Sequence, residues 1–219
     1  MSDTTCWTVI RGAAQGRPKD REEFARRYEP VVRAYLGARW RASGLKGEID
    51  DAAQEVFLDC FKDGGALERA DEGRPGGFRA FLYGVVRNVA ARAERERGRG
   101  GLPLEADLPS RDRTLSDAFD RAWAEALMRQ AARLMEARAF AAGSEAQRRV
   151  EILRLRFGEE MPIRDVARLW NADAAKVHHE YATAREEFRA ALYDVVAEHQ
   201  GGPRSDVERE AERLIVCFR

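Results

Sequence analysis

The chain has 219 residues, of which 44% are hydrophobic and 35% charged, a composition typical of a globular protein of one ordinary domain or two small ones. Its 38 Lys and Arg residues balance 38 Asp and Glu residues, which excludes a whole-molecule attraction to nucleic acid or to an anionic membrane. The cysteines Cys6, Cys60 and Cys217 contain no CxxC pair, which argues against a disulfide framework or a thiolate zinc site and fits a reducing compartment.

The N-terminal residues MSDTTCWTVIRG lack the basic start and the apolar core of a signal peptide. No apolar run approaches the roughly eighteen residues that a membrane span needs. We therefore expect a soluble, cytoplasmic protein without membrane insertion.

The first predicted helix lies within residues 20–40, where apolar side chains recur at helical spacing. They are Phe24, Tyr28, Val31, Val32 and Tyr35. Pro30 predicts a kink or a break inside this pattern. Residues 48–62 predict a second helix with an acidic first turn, which the positive end of a helix dipole favours. A Gly-rich loop, residues 63–77, follows.

Residues 78–97 predict an amphipathic helix whose core face carries Phe78, Leu82, Val85 and Val89. The opposite arc carries Ala80, Tyr83, Arg87 and Ala91, flanked by Arg79 and Asn88. Between residues 79 and 101, six arginines stand against two glutamates. Arginine contacts phosphates, an exposed tyrosine stacks on an unpaired base, and asparagine bonds base edges. A solvated amphipathic helix without a ligand is the alternative interpretation.

Residues 98–114 combine glycines and prolines without a sustained period and predict a linker. Helices resume at about Leu115 and continue to Phe140. Further helices begin at a capping box of Ser144 and Gln147 and at Pro162, expected in the first helical position. Only three residues, Asn171, Ala172 and Asp173, then separate two helices. A final helix starts at a second capping box, Ser205 with Glu208.

This pattern predicts an all-α protein with two small helical domains, residues 1–97 and 115–199, joined by the linker 98–114. An extension, residues 200–219, follows. The adjacent His178 and His179 point about 100° apart on a helix and cannot chelate one ion well, so we expect no metal site. No nucleophile–base arrangement or phosphate loop is present in the sequence, so we expect neither an enzyme nor a cofactor.

Two sets of motifs, in order across the linker, resemble the extracytoplasmic-function (ECF) sigma factors, compact members of the sigma-70 family of bacterial RNA polymerase. The first set is EIDDAAQEVF, the Gly-rich loop and FRAFLYGVVRN, in which Phe81 stands where the family usually has tryptophan. The second is RRVEILRLRFGEEMPIRDVARLWNADAAKVHHEYATAREEFRAAL, which matches at Val166, Ala167, Leu169, Val177, Ala184, Arg185 and Phe188. The resemblance covers roughly residues 20 to 195.

The resemblance implies a region-2-like domain that binds core polymerase and melts the −10 element, and a region-4-like helix-turn-helix that binds the −35 element. The residues it assigns to polymerase binding are Asp50, Asp51, Gln54 and Glu55. Those it assigns to −10 binding and melting are Arg79, Tyr83, Arg87, Asn88 and Arg92, with the loop from Leu67 to Gly77. Those for the −35 element are Lys176, His178, His179 and Arg185.

The recognition helix departs from the family. Glu180 stands where arginine is usual, Thr183 where another basic residue is common, and Asn171 replaces the turn glycine. Asparagine tolerates the left-handed conformation, so the turn is expected to survive. Three basic and three acidic residues between 174 and 190 predict weak DNA binding, which Glu180→Arg is expected to strengthen.

The expected partners are core polymerase and promoter DNA, and an anti-sigma protein, a kinase or the tail is left open as the regulator. The tail, Ser205 to Phe218, either covers the second domain's apolar surface or acts as a regulatory latch. The alternative function is a helix-turn-helix regulator, or a sigma-derived interaction protein, that does not engage core polymerase. The motif EIDDAAQEVF with the aromatic helix after it favours the sigma factor, because a plain repressor needs neither.

Overall fold

The computed structural model describes residues 6–73, 76–99, 109–200 and 204–217, and within these ranges the regular elements are helices, with no strand. The predicted all-α fold is therefore confirmed. The α-helices are α1 (Cys6–Ala14), α2 (Pro18–Arg39), α3 (Ile49–Phe61), α4 (Gly77–Arg99), α5 (Pro109–Ala142), α6 (Ser144–Leu153), α7 (Ile163–Leu169), α8 (Ala174–Gln200) and α9 (Arg204–Cys217). Short 3-10 turns precede α3 and follow it, and a π-helical turn, Arg154–Gly158, continues α6.

The chain divides into two compact units. The first contains Met1–Ala126 and Ala197–Pro203, and the second contains Leu127–Val196 and Arg204–Arg219. Residues 115–126 and 197–199, which the sequence analysis placed in the second domain, thus group with the first unit. The functional boundaries at residues 97, 114 and 199 stay predictions, and most of the predicted linker, residues 100–108, lies outside the described residues.

The core of the first unit is built from aromatic side chains. Phe24 and Phe78 are fully buried, with ring centroids 5.8 Å apart and nearly perpendicular planes. Trp123, from the first part of α5, stacks on Tyr28 at 5.7 Å. Edge-to-face and offset contacts of this kind add to the free energy gained by burying the ring surface. Trp7 and Trp40 are also buried, as expected of core tryptophans.

The core of the second unit includes apolar side chains from α6, the π-helical turn, α7 and α8. These are Ile152, Leu155, Ile163, Val166, Ala167 and Val177, with Trp170 and Tyr181 packed against them. On α9, Val207, Ala211 and Leu214 are buried, and α9 belongs to this unit. The buried stripe supports the interpretation of the tail as a packing element.

Two predictions about individual residues differ from the structure, one on the core face of α4 and one at Pro30 of α2. The core face of α4 carries Val86, which is buried, whereas Val85 is half-buried. Of the kink or break predicted at Pro30, the break is absent, because α2 continues through this residue, and the kink stays a prediction. Pro30 faces solvent, where water can satisfy the carbonyl that the ring deprives of a donor.

The predicted helix starts also shift. The N-cap of α6 is Gly143, with a φ of 103° and no side-chain hydrogen bond, so the capping box at Ser144 is not formed. Pro162 is the N-cap of α7 rather than its first residue. Ser205 lies inside α9, which begins at Arg204, where an ion pair joins Arg204 to Glu208. α1 and the start of α5 at Pro109 were not predicted.

Candidate functional site

The exposed face of α3 is acidic and carries the four residues assigned to polymerase binding. Asp51 and Gln54 are exposed. Asp50 is also exposed, and its Oδ1 accepts a hydrogen bond of 2.5 Å from Arg33 of α2. Glu55 is half-buried because it bonds to α4. These side chains are brought together by their helical spacing, one turn after another.

Leu58 extends this face by one further turn, four residues after Gln54. Its side chain is 62% exposed, one of the few large apolar groups on the surface of the described residues. The sequence analysis missed it, although its spacing from Asp51 and Gln54 could have shown that it shares their face. An apolar side chain beside carboxylates and an amide is suited to a protein partner rather than to DNA.

Arg92 of α4 points toward α3 and bonds to two carboxylates. Its guanidinium donates to Glu55 at 2.9 Å and to Asp59 at 3.1 Å. These bonds from Arg92, with one from Lys62, outweigh the effect of partial burial, so the pKa of Asp59 lies below its ordinary value. A groove of about 510 Å³ lies between α3 and α4, and Asp51, Glu55 and Arg92 are among the residues that line it. Arg92, which the resemblance assigned to DNA, is therefore engaged with the carboxylates of α3.

The C-terminal half of α4 is fixed to α2 by a buried ion pair. Arg39 bonds to both carboxylate oxygens of Glu94, at 2.7 and 2.8 Å, and the indole N–H of Trp40 donates to the same carboxylate at 2.9 Å. The Arg39 side chain is only 7% exposed. Its hydrogen bonds to Glu94 raise the pKa of the guanidinium above its already high ordinary value. This pair orients the basic part of α4.

The N-terminal half of α4 is covered by the first part of α5. Arg79 donates a hydrogen bond of 2.8 Å from Nε to Asp120, and its guanidinium carbon lies 5.9 Å from the centre of the Phe119 ring. Tyr83 is half-buried, with its ring edge-to-face against Phe119 at 5.1 Å and Tyr35 at 5.5 Å. The sequence analysis expected an exposed tyrosine at this position, and that expectation is wrong.

Arg87 and Asn88 occupy the middle of α4 and are both exposed. They present a guanidinium and an amide to solvent, the groups that contact a phosphate and a base edge. Arg95, two turns after Arg87, is also exposed. The loop before α4 is described only in part, because Arg74 and Pro75 lie outside the described residues. Leu67, at the start of that loop, is buried.

In the second unit, a short turn joins α7 to α8. Asn171 takes the left-handed conformation with a φ of 46°, which confirms the prediction for the turn. The carboxylate of Asp173 accepts a hydrogen bond of 2.9 Å from the backbone N–H of Lys176 and caps the start of α8. The buried Val177 anchors α8 on the unit's core.

The four residues assigned to the −35 element share the outer surface of α8. Lys176, His178, His179 and Arg185 are all exposed. Arg185 also lies against the Tyr181 ring, with its guanidinium carbon 5.8 Å from the ring centre. Side chains in these positions are free to meet a phosphate or the edge of a base.

Two glutamates of α8 form ion pairs with arginines of α6. Glu180 accepts a hydrogen bond of 2.8 Å from Arg148 of α6, whose guanidinium carbon lies 4.1 Å from the centre of the Trp170 ring. Glu187 bonds to Arg149 of the same helix. Because these ion pairs neutralise the two carboxylates, the charge count of α8 alone understates the positive charge of its outer face.

The helix before the turn adds basic residues that the sequence analysis missed. The side chains of Arg164 and Arg168 on α7 are 76% and 75% exposed. They lie four residues apart and so share a face of the helix. In a helix-turn-helix the first helix crosses the DNA backbone, which makes both arginines candidates for phosphate contact. Leu169, beside them in sequence, is also exposed.

Two buried thiols, Cys6 and Cys60, lie in the first unit. Burial raises the pKa of the Cys6 and Cys60 thiols to about 12, a direction that opposes nucleophilic reactivity. Among the described residues, no group of three or more His, Cys, Asp and Glu side chains could hold a metal ion. None of the helices in those ranges is long and apolar enough to cross a membrane.

Comparison with known proteins points to the same class as the motifs. The chain is 37% identical over 107 residues to proteins named "ECF RNA polymerase sigma factor SigD" from Mycobacterium bovis and from two strains of Mycobacterium tuberculosis. The match covers 47% of this chain and 47% of each relative, so it spans about half the length of the curated relatives. No protein-family model matches, and no solved structure matches. The similarity supports a relationship to sigma factors over that part of the chain.

Proposed function

We propose that this chain is a sigma factor that recruits core RNA polymerase to promoters and initiates transcription. The observation that carries the proposal is the arrangement of the first unit. An exposed acidic face on α3 and an exposed Arg87 and Asn88 on α4 belong to one helical unit, with a helix-turn-helix later in the chain. The partial similarity to ECF sigma factors supports the same assignment.

In this proposal α3 binds the polymerase. Asp51 and Gln54 offer a carboxylate and an amide to a basic partner groove, and Leu58 adds an apolar contact. Arg92 holds Glu55 against α4, so that the face is ordered before the partner arrives. A preorganised surface loses less conformational entropy on binding than a flexible one.

Promoter opening follows from the exposed part of α4. A base that leaves the duplex stack costs a few kcal/mol, and binding of the open strand offsets this cost. Arg87 is placed to contact the strand's phosphates and Asn88 a base edge. Stacking on an aromatic ring contributes about 1–3 kcal/mol per base, and Tyr83 is the ring nearest in sequence.

Recognition of the −35 element is proposed for the helix-turn-helix of the second unit. Lys176, His178 and His179 lie at the exposed start of α8, the part that reaches base edges in the major groove. Arg164 and Arg168 on α7 are placed to contact the DNA backbone. Phosphate contacts of this kind supply the salt-dependent part of the affinity.

Binding to purified core polymerase tests the proposal. We expect the full chain to bind core polymerase that lacks its own sigma subunit, and Asp51→Ala with Gln54→Ala to weaken binding by about tenfold or more, as loss of central interface residues does. Asp63→Ala, at an exposed carboxylate just beyond α3, is the control and should bind like the unchanged chain. No binding of the unchanged chain would overturn the proposal.

A regulator that uses the helix-turn-helix without core polymerase is the second candidate. The observation that favours it is that Arg79, Tyr83 and Arg92 are all engaged within the first unit, as structural residues would be. This candidate predicts DNA binding by the chain alone with no gain on addition of core polymerase. The polymerase-binding experiment therefore separates the two.

A further inference from the structure

The two ends of the strand-binding face of α4 differ in their surroundings. Arg87 and Asn88 are exposed, whereas Tyr83, one turn before Arg87, and Arg79, two turns before it, are in contact with α5. The segment responsible, residues 113–126 of α5, belongs to the first unit together with α4. The strand-binding face of α4 therefore has an exposed part, at Arg87 and Asn88, and a part that α5 covers, at Arg79 and Tyr83.

The two side chains of α5 that cover this surface, Phe119 and Asp120, resemble the two parts of a nucleotide that α4 would bind, a base and a phosphate. Asp120 places a carboxylate on the Arg79 guanidinium, where a phosphate of a bound strand would bind. The Phe119 ring lies edge-to-face against Tyr83, with centroids 5.1 Å apart, and so fills space that an unpaired base stacking on Tyr83 would need. An anion and a flat ring on adjacent residues are what one nucleotide of single-stranded DNA would supply to the same two side chains.

The contact is held by side chains that α5 buries as a group. Phe119 is fully buried, and Leu115 and Trp123 are 2% and 4% exposed. Trp123 also reaches Tyr28 and His199, with ring centroids at 5.7 and 5.4 Å. Removing these rings from the unit would expose a large apolar area to water, which opposes opening.

We propose that residues 113–126 are an internal competitor for the strand-binding face of α4, with Phe119 and Asp120 occupying the places of a base and a phosphate. This inference rests on the proposed function of α4 in strand binding. The covered state lowers the apparent affinity for a single strand by the fraction of molecules in which the face is open. Strand binding and the packing of this segment on α4 exclude one another at Arg79 and Tyr83.

The first test compares two substitutions that remove the same charge from α5. Asp120→Asn weakens the ion pair with Arg79, whereas Asp117→Asn changes an exposed carboxylate one turn earlier. Binding of the full-length variants to a fluorescein-labelled single-stranded oligonucleotide is measured by anisotropy. We expect Asp120→Asn to bind about twofold to fivefold more tightly than Asp117→Asn, the effect of a partly exposed ion pair. Equal affinities of the two variants would overturn the inference.

The second test follows amide hydrogen exchange when the oligonucleotide binds the unchanged chain. We expect exchange in residues 113–126 to become faster and exchange in α4 to become slower, because the strand displaces the segment. A strand that binds while residues 113–126 keep their protection would show that the segment does not compete.

Substitutions at the exposed end of α4 separate this inference from the proposed function. If Arg87→Ala and Asn88→Ala weaken oligonucleotide binding while Asp120→Asn leaves it unchanged, strand binding by α4 stands and the competitor is wrong. If neither Arg87→Ala nor Asn88→Ala changes binding, the strand-binding role of α4 fails and the competitor fails with it.

Discussion

Replacement of Glu94 tests whether the buried ion pair with Arg39 positions α4. Glu94→Ala removes the acceptor of two hydrogen bonds from Arg39 and one from the Trp40 indole. The Arg39 side chain is 7% exposed and that of Glu94 19%, so solvent cannot replace the lost partner. The guanidinium keeps its charge and its bond to Tyr35 at 3.1 Å but loses both bonds to the Glu94 carboxylate.

The expected cost follows from removing one member of a buried ion pair. Such a change destabilises proteins by about 3–5 kcal/mol. For a chain of this size, about 2–4 °C of unfolding temperature corresponds to each kcal/mol, so the midpoint should fall by roughly 6–20 °C. The unfolding midpoint of Glu94→Gln should lie between those of the unchanged chain and of Glu94→Ala, because the glutamine amide oxygen can still accept a hydrogen bond although the charge is gone.

Urea and thermal unfolding followed by circular dichroism measure this change. Glu96→Ala is the matched control, because Glu96 lies two residues later on the same helix and is exposed. Exposed substitutions usually change stability by less than about 0.5 kcal/mol. A Glu94→Ala variant as stable as Glu96→Ala would refute the reasoning, since α4 would then keep its place without the ion pair.

Two further predictions concern the second unit. Glu180→Gln should lower the free energy of unfolding by about 0.5–1.5 kcal/mol, because the ion pair with Arg148 is only partly exposed to solvent. The control is Glu186→Gln, which should leave that free energy unchanged because the Glu186 side chain is 70% exposed. Equal effects of the two substitutions in urea unfolding would contradict the role of the pair. Arg168→Gln should reduce the slope of log affinity for promoter DNA against log salt concentration by about 1. Arg209 has a similar exposure and a similar ion pair, so Arg209→Gln should leave the slope unchanged. A changed slope in both variants, or in neither, would contradict contact between α7 and the DNA backbone.

The interaction of Glu180 with Arg148 alters an expectation drawn from the sequence. Glu180→Arg was expected to strengthen binding to the −35 element by adding charge to α8. In the structure that substitution removes the partner of Arg148 and places a second guanidinium beside it. The gain in charge is therefore opposed by a loss of stability in the same unit, a conflict visible only when α6 and α8 are seen together.

Helical periodicity predicted the fold class because it depends on local spacing. The stripe of α2, with Phe24, Tyr28 and Tyr35, is buried as expected, and Asn171 adopts the conformation that its short polar side chain permits. The error at Val85 and Val86 is a small rotation of the core face, because Phe78, Leu82 and Val89 are buried as expected and the face extends toward Val86 rather than Val85.

Contacts between distant parts of the chain could not be predicted in this way. Arg79 meets Asp120 across 41 residues of sequence, and Arg92 meets Glu55 across 37. The sequence shows the charge of each residue but not its partner, so Arg79, Arg87 and Arg92 were all assigned to DNA. The structure separates the exposed Arg87 from Arg79 and Arg92, which are held by carboxylates.

Transcription in vitro tests the central claim most directly. Core polymerase without a sigma subunit is combined with the full chain and a library of promoter fragments, and the transcripts are sequenced. The account predicts transcripts from a discrete set of start sites, and a strong decrease when Arg87 and Asn88 are replaced together by alanine in a chain that still binds the polymerase. Absence of transcripts with the unchanged chain across the library, or unchanged transcription with the double variant, would contradict it.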